Sequence, residues 1–166
     1  MSVETGEMIP PFSLPASTGQ TLDRDAYLGK MPMVIFFLPD PESETDRSLL
    51  AGYDRLLKDF GQETSQVMGV ARITARQARD LSDEMDLSLP LLADAGGDMA
   101  RRFGVADPDG AVHRVTFVVD RHGKVARRFD PASASKQAPD MLEAIRALKT
   151  EHLEWLESVD KAEAPG

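Results

Sequence analysis

The chain has 166 residues, 42% of them hydrophobic and 28% charged, with a net charge of -9 and no cysteine. That length suits one domain able to bury roughly two thirds of its unfolded surface without disulfide or metal staples, and the composition excludes a disordered chain. The acidic balance repels phosphate backbones and anionic headgroups, while the absence of thiols excludes disulfides, thiolate metal sites and cysteine nucleophiles.

Residues 1–10 carry two glutamates and neither a basic nor an apolar signal region, so a cytoplasmic protein is expected. Pro10, Pro11, Phe12, Leu14 and Pro15, followed by the Ser17-Thr18-Gly19 turn, read as a short edge element. Met33 to Leu38 is continuously apolar and closed by Pro39, the pattern of a strand buried on both faces. The longest apolar run, Met31 to Leu38, contains Pro32 and falls far short of the roughly 20 residues that cross a bilayer. Leu49, Leu50, Tyr53, Leu56, Leu57 and Phe60 then recur at three- and four-residue spacing, which predicts one amphipathic helix ending at Gly61.

A second strand is expected over Gln66 to Ile73, a helix over Ala75 to Met85, and a further segment at Leu89 to Leu92. A short helix near Asp98 to Phe103 and a turn at Pro108 to Gly110 follow. Two strands, Arg114 to Val119 and Val125 to Phe129, flank a turn over Asp120 to Gly123 short enough for an antiparallel hairpin. A last helix from about Ala138 places Met141, Leu142, Ile145, Leu148, His152 and Trp155 on one stripe, with a polar tail over Asp160 to Gly166. This order predicts an α/β fold, a mixed β-sheet flanked by helices on both faces, in a single domain over residues 1–159.

Several segments carry a resemblance: Pro11-Phe12-Ser13-Leu14-Pro15, Tyr27-Leu28-Gly29-Lys30, Phe36-Phe37-Leu38-Pro39, Leu89-Pro90-Leu91-Leu92-Ala93-Asp94, Phe103-Gly104-Val105, Arg114 to Asp120 and Gly123-Lys124-Val125. In their order and spacing the chain resembles the peroxiredoxin family, in its alkyl hydroperoxide reductase and thiol-specific antioxidant branch, most of all the bacterioferritin-comigratory type. The resemblance implies a thioredoxin-like fold. It also implies an active-site signature Pro-x-x-x-Thr-x-x-Cys with a distant Arg. Here Pro39 matches the Pro, Ser43 takes the Thr position, Arg114 matches the Arg, and Asp46 stands where the peroxidatic Cys belongs. Ala51 occupies the position at which some members keep a resolving Cys.

Thiol peroxidases need a low-pKa thiolate that attacks the peroxide bond and leaves as a sulfenic acid. A carboxylate does neither, and the Ser43 hydroxyl has no obvious base to activate it. A helix N-terminus and a guanidinium, which favour a thiolate, equally favour a carboxylate anion. Asp46 facing Arg114 would then resemble the sulfinate of an overoxidised cysteine and oppose loosening of its helix. The expectation is a binding or regulatory homologue without thiol peroxidase activity, which keeps a cleft for a small anionic or peroxidic ligand. An enzyme of altered chemistry at Asp46, Ser43 and Arg114 is the second reading. A structural or assembly partner is the third, since the family often dimerises and a homodimer is compatible with the resemblance.

Plainer roles compete at each position. Ser43-x-x-Asp46 has the form of a helix capping box, and Arg114 could be an ordinary strand arginine. His113 is read as an outward strand residue, and His152 and Trp155 as core or interface packing. The three histidines, His113, His122 and His152, lack metal-ligand spacing, so neither a metal nor another cofactor is expected. Eight methionines could take up oxidant as sulfoxides where exposed.

Overall fold

A computed structural model describes residues 3–130 and 134–163. Seven strands and five α-helices follow one another as β1 Ser13–Pro15, β2 Thr21–Asp23, β3 Met33–Leu38, α1 Glu44–Arg55, α2 Leu57–Gln62, β4 Gln66–Ala71, α3 Ala75–Met85, β5 Leu91–Ala93, α4 Asp98–Arg102, β6 Thr116–Val119, β7 Val125–Phe129 and α5 Ala134–Glu163. The main sheet has the order β5-β4-β3-β6-β7. β3, β4 and β5 run parallel, and β6 and β7 antiparallel to their neighbours. The mixed thioredoxin-like sheet expected from the sequence is therefore present.

All six residues of β3 are buried, because this strand is central and covered on both faces. Val34, Phe36 and Leu38 face a core with Leu49, Leu50 and Tyr53 of α1, Leu81 of α3 and Met141 and Ile145 of α5. Met33, Ile35 and Phe37 face the opposite core, with Met99 and Phe103 beside α4 and Ile9 and Phe12 from the N-terminal segment. Gly69 lies opposite Phe36, and a Cβ there would stand 2.9 Å from the Phe36 ring. The missing side chain leaves room for Phe36, whose ring stacks on Tyr53 at 4.2 Å.

The helix expected over Leu49 to Phe60 is divided at Leu56, whose φ of -99° and ψ of 8° leave the helical range. Its amide turns to the Tyr53 carbonyl in an i→i−3 bond. Nearby, the Asp54 carboxylate accepts the amides of Ser88 and Leu89, fixing that turn to the strand ahead of β5. The second helix runs on through Gly61 to Gln62. β4 stops at Ala71, two residues before the expected end, and β6 begins at Thr116, so Arg114 precedes the strand. The N-terminal segment forms a two-stranded ribbon, β1 with β2, rather than a single edge element.

α5 begins four residues ahead of Ala138 and includes Pro139, which removes one helical hydrogen bond. Gln137 anchors the turn before that proline. Its Oε1 accepts from the Tyr53 hydroxyl at 2.6 Å and from the Thr116 hydroxyl at 2.8 Å, while its Nε2 is buried without a partner. The helix continues through Asp160 to Glu163, where a polar tail is expected; residues 164–166 lie outside the described residues. Met141, Leu142 and Ile145 are buried as expected, but Trp155 is 59% exposed. It is not core packing, because α5 outruns the sheet it packs on.

Burial raises the Tyr53 hydroxyl pKa far above its usual value of 10, outweighing the opposing Thr116 hydrogen bond. A folded-state pKa above the unfolded one gives stability that is complete below pH 10 and falls as pH rises beyond it. Urea midpoints measured between pH 8 and 11 should therefore decline above about pH 10. The decline should be shallower in Tyr53→Phe, which keeps only the smaller contribution of Tyr27, also raised by burial.

Candidate functional site

Pro39 ends β3 because it has no amide to donate to a neighbouring strand, and it is exposed. The chain then turns through Asp40 to Ser43 and enters α1. Ser43 is the N-cap, with extended backbone, and its hydroxyl accepts the Asp46 amide at 3.2 Å while donating to the Asp40 carbonyl at 2.7 Å. In a full capping box the Asp46 carboxylate would return to the Ser43 amide. It does not, because that amide already donates to the Asp40 carbonyl at 2.9 Å. Only half of the expected box forms.

The freed carboxylate turns inward and is fully buried. Its Oδ2 accepts the Asp40 amide at 2.8 Å, and its Oδ1 accepts the Arg114 Nε at 2.7 Å. Both oxygens thus have a donor, and one of those donors is charged, which is what a buried carboxylate requires. The Arg114 side chain keeps 29% of its surface exposed, and among the described residues its guanidinium makes no other hydrogen bond. Its terminal nitrogens are the open donors of this site.

The structure therefore joins Ser43, Asp46 and Arg114, and leaves Pro39 at the strand end without a hydrogen bond to them. Ala51 lies half-buried further along α1. His113 is not a strand residue: its amide donates to Val105 in a loop, and its ring pairs with Asp107 at 2.6 Å. The Asp40 amide was missed in the sequence, since a backbone donor has no side-chain signature. Among the described residues no group of three or more His, Asp or Glu could hold a metal ion. Met33, Met68, Met99 and Met141 are buried, which removes them from ready oxidation.

With both its oxygens engaged, Asp46 offers no lone pair aimed at solvent for nucleophilic or base chemistry. Its partners set the expected cost of substitution. Ser43→Ala should lower stability by about 1 kcal/mol through loss of the cap. Arg114→Ala should lower it by about 3 kcal/mol, because it leaves a buried carboxylate facing a single neutral donor. Urea denaturation of the two variants checks that order.

The AhpC/TSA family model matches residues 5–128. The crystal structure of peroxidoxin BcpB from Mycobacterium tuberculosis superposes with a TM-score of 0.80 at 28% identity, covering 87% of this chain and 97% of that one. Alkyl hydroperoxide reductase C of Mycobacterium tuberculosis is 28% identical over 133 residues, 77% of this chain and 66% of that protein. The bacterioferritin comigratory protein of Xanthomonas campestris, at 22% identity, shares the fold with a TM-score of 0.76 over 83% of this chain and 92% of that one. With most of its length matched, the chain belongs to the AhpC/TSA family of peroxiredoxins, and it does so without a cysteine.

Proposed function

We propose that the protein is a peroxiredoxin homologue without thiol peroxidase activity, in which Pro39, Ser43, Asp46 and Arg114 are the remnant of the peroxidatic site and serve as a binding or regulatory element. The observation that carries this reading is the buried Asp46 carboxylate held by Arg114 at 2.7 Å, in a chain with no cysteine to be oxidised. A carboxylate has no counterpart to the thiolate-to-sulfenate step. The ion pair and the Ser43 cap together hold the first turn of α1 in its fully wound form. The open nitrogens of Arg114 support a small anionic ligand at the same place. Chemistry at Asp46 itself has less support, because both of its oxygens are engaged. The reading includes a cytoplasmic location and a homodimer.

Two measurements test this. Hydrogen peroxide and an alkyl hydroperoxide, each with dithiothreitol as reductant, should be consumed no faster than without protein; turnover comparable to that of a thiol peroxidase would overturn the proposal. Amide exchange over residues 44–50 should speed up about tenfold or more in Asp46→Asn, the response to about 1.4 kcal/mol of lost local stability. Unchanged protection there would remove the conformational role of the pair.

A further inference from the structure

The opposite pole of the sheet carries a second feature, separated from Asp46 by the length of β3, about 20 Å for its six residues. β3 leaves from Pro32 and β4 from the turn after Glu63, while the β6–β7 hairpin turn and the outer part of α5 close the sides. Between them lies a cavity of about 560 Å³, within the range of small-molecule sites. Its apolar surface comes from Pro32, Leu148 and Trp155, and its cationic rim from Lys30 and Arg121. We propose that this cavity binds a small aromatic carboxylate, with the ring against Trp155 and the carboxylate on Arg121.

The polar groups have a definite arrangement. The Arg121 carbonyl accepts the Gly29 amide at 2.6 Å, which ties the hairpin turn to the loop bearing Lys30. One terminal nitrogen of Arg121 donates to the Lys30 carbonyl at 3.3 Å, and the other donates to His152 Nε2. Arginine can only donate, so the imidazole nitrogen is the acceptor in this contact. The His152 ring lies nearly parallel to Trp155, with 6.0 Å between centroids, so guanidinium, imidazole and indole form a continuous wall. A guanidinium has five N–H groups, and two such contacts leave three of them for a ligand.

Charge decides between a neutral and an anionic occupant. Among the described residues neither Arg121 nor Lys30 has a carboxylate within 4.0 Å. The acids on the wall are mostly committed elsewhere. Glu63 pairs with Arg146 and Lys149, and Asp120 Oδ1 accepts the amides of His122 and Lys124. Glu151 is the remaining acid and is exposed. Two unpaired cations on an apolar, aromatic-lined cavity in a chain of net charge -9 form a local site for an anion. Thr64, also on the wall, is held at a φ of 51°, a conformation that a β-branched residue rarely adopts.

Trp155 is the single tryptophan of the chain, so its emission reports on this cavity alone. Benzoate titrated against the full chain should change that emission saturably, with a matching calorimetric isotherm. Benzyl alcohol, the uncharged counterpart, should bind about tenfold more weakly or worse, and Arg121→Gln should weaken benzoate by a similar factor. Trp155→Leu, read by calorimetry, should also weaken benzoate, whereas Arg76→Gln, on the exposed face of α3 and outside the cavity, should leave the emission response intact. The proposal is overturned by no saturable response up to about 10 mM benzoate, ten times the Kd of a weak site. It is equally overturned by benzyl alcohol binding as tightly, by benzoate affinity unchanged in Arg121→Gln or Trp155→Leu, or by a response lost in Arg76→Gln.

Discussion

A carboxylate removed from water has to find a donor for each oxygen where it lies, and Asp46 finds them in two neighbouring segments. The turn ahead of its helix supplies the Asp40 amide, and the loop ahead of β6 supplies Arg114, 68 residues away in sequence, while Ser43 caps the helix by accepting the Asp46 amide. A buried ion pair is weak evidence of net stability, since well-packed apolar residues can do as well. Its effect is asymmetric: the complete pair costs little, whereas the buried Asp46 charge without Arg114 is expensive. That asymmetry favours one conformation of the α1 entry. A peroxidatic cysteine at this position would instead have to change its covalent and protonation state during turnover.

The pair depends on how β3 places both partners. A fully buried strand delivers the chain to the α1 turn at one end, and β6 runs antiparallel beside it so that the residues preceding β6 arrive at that same end. Tyr53 and Thr116, each further along the same two elements, meet at Gln137 and bind α5 to this frame. The site is therefore supported from behind by a second, neutral hydrogen-bonded junction. The other end of β3 is where the Arg121 and Trp155 cavity forms, from loops that the Asp46 chemistry does not use.

Much of this was legible in the sequence. The apolar run of Met33 to Leu38 closed by Pro39 read as a central strand, and the resemblance to the peroxiredoxin motif singled out Asp46. Other features were not legible because they depend on tertiary partners. Periodicity joined α1 to α2, since it cannot register the Asp54 carboxylate taking two amides ahead of β5. The same stripe carried Trp155 inward on paper, although the described residues leave it 59% exposed beside the loops ahead of β3 and β4 rather than under the sheet. Gln137 did leave a trace: it sits four residues before Met141 on the apolar stripe, and a polar residue there calls for a buried partner. The half-formed capping box shows the limit most clearly. Ser43-x-x-Asp46 predicts the cap correctly, but only the arrival of Arg114 and the Asp40 amide decides where the Asp46 carboxylate points.

The most direct measurement of the central claim is a double-mutant cycle on the two charges, with Asp46→Asn, Arg114→Met and the double variant compared by urea denaturation. A coupled buried pair should give an interaction energy of about 1–3 kcal/mol, with the double variant less destabilised than the two single losses summed. Losses that add within about 0.5 kcal/mol would contradict the account, since Asp46 and Arg114 would then be neighbours that do not hold the α1 entry together.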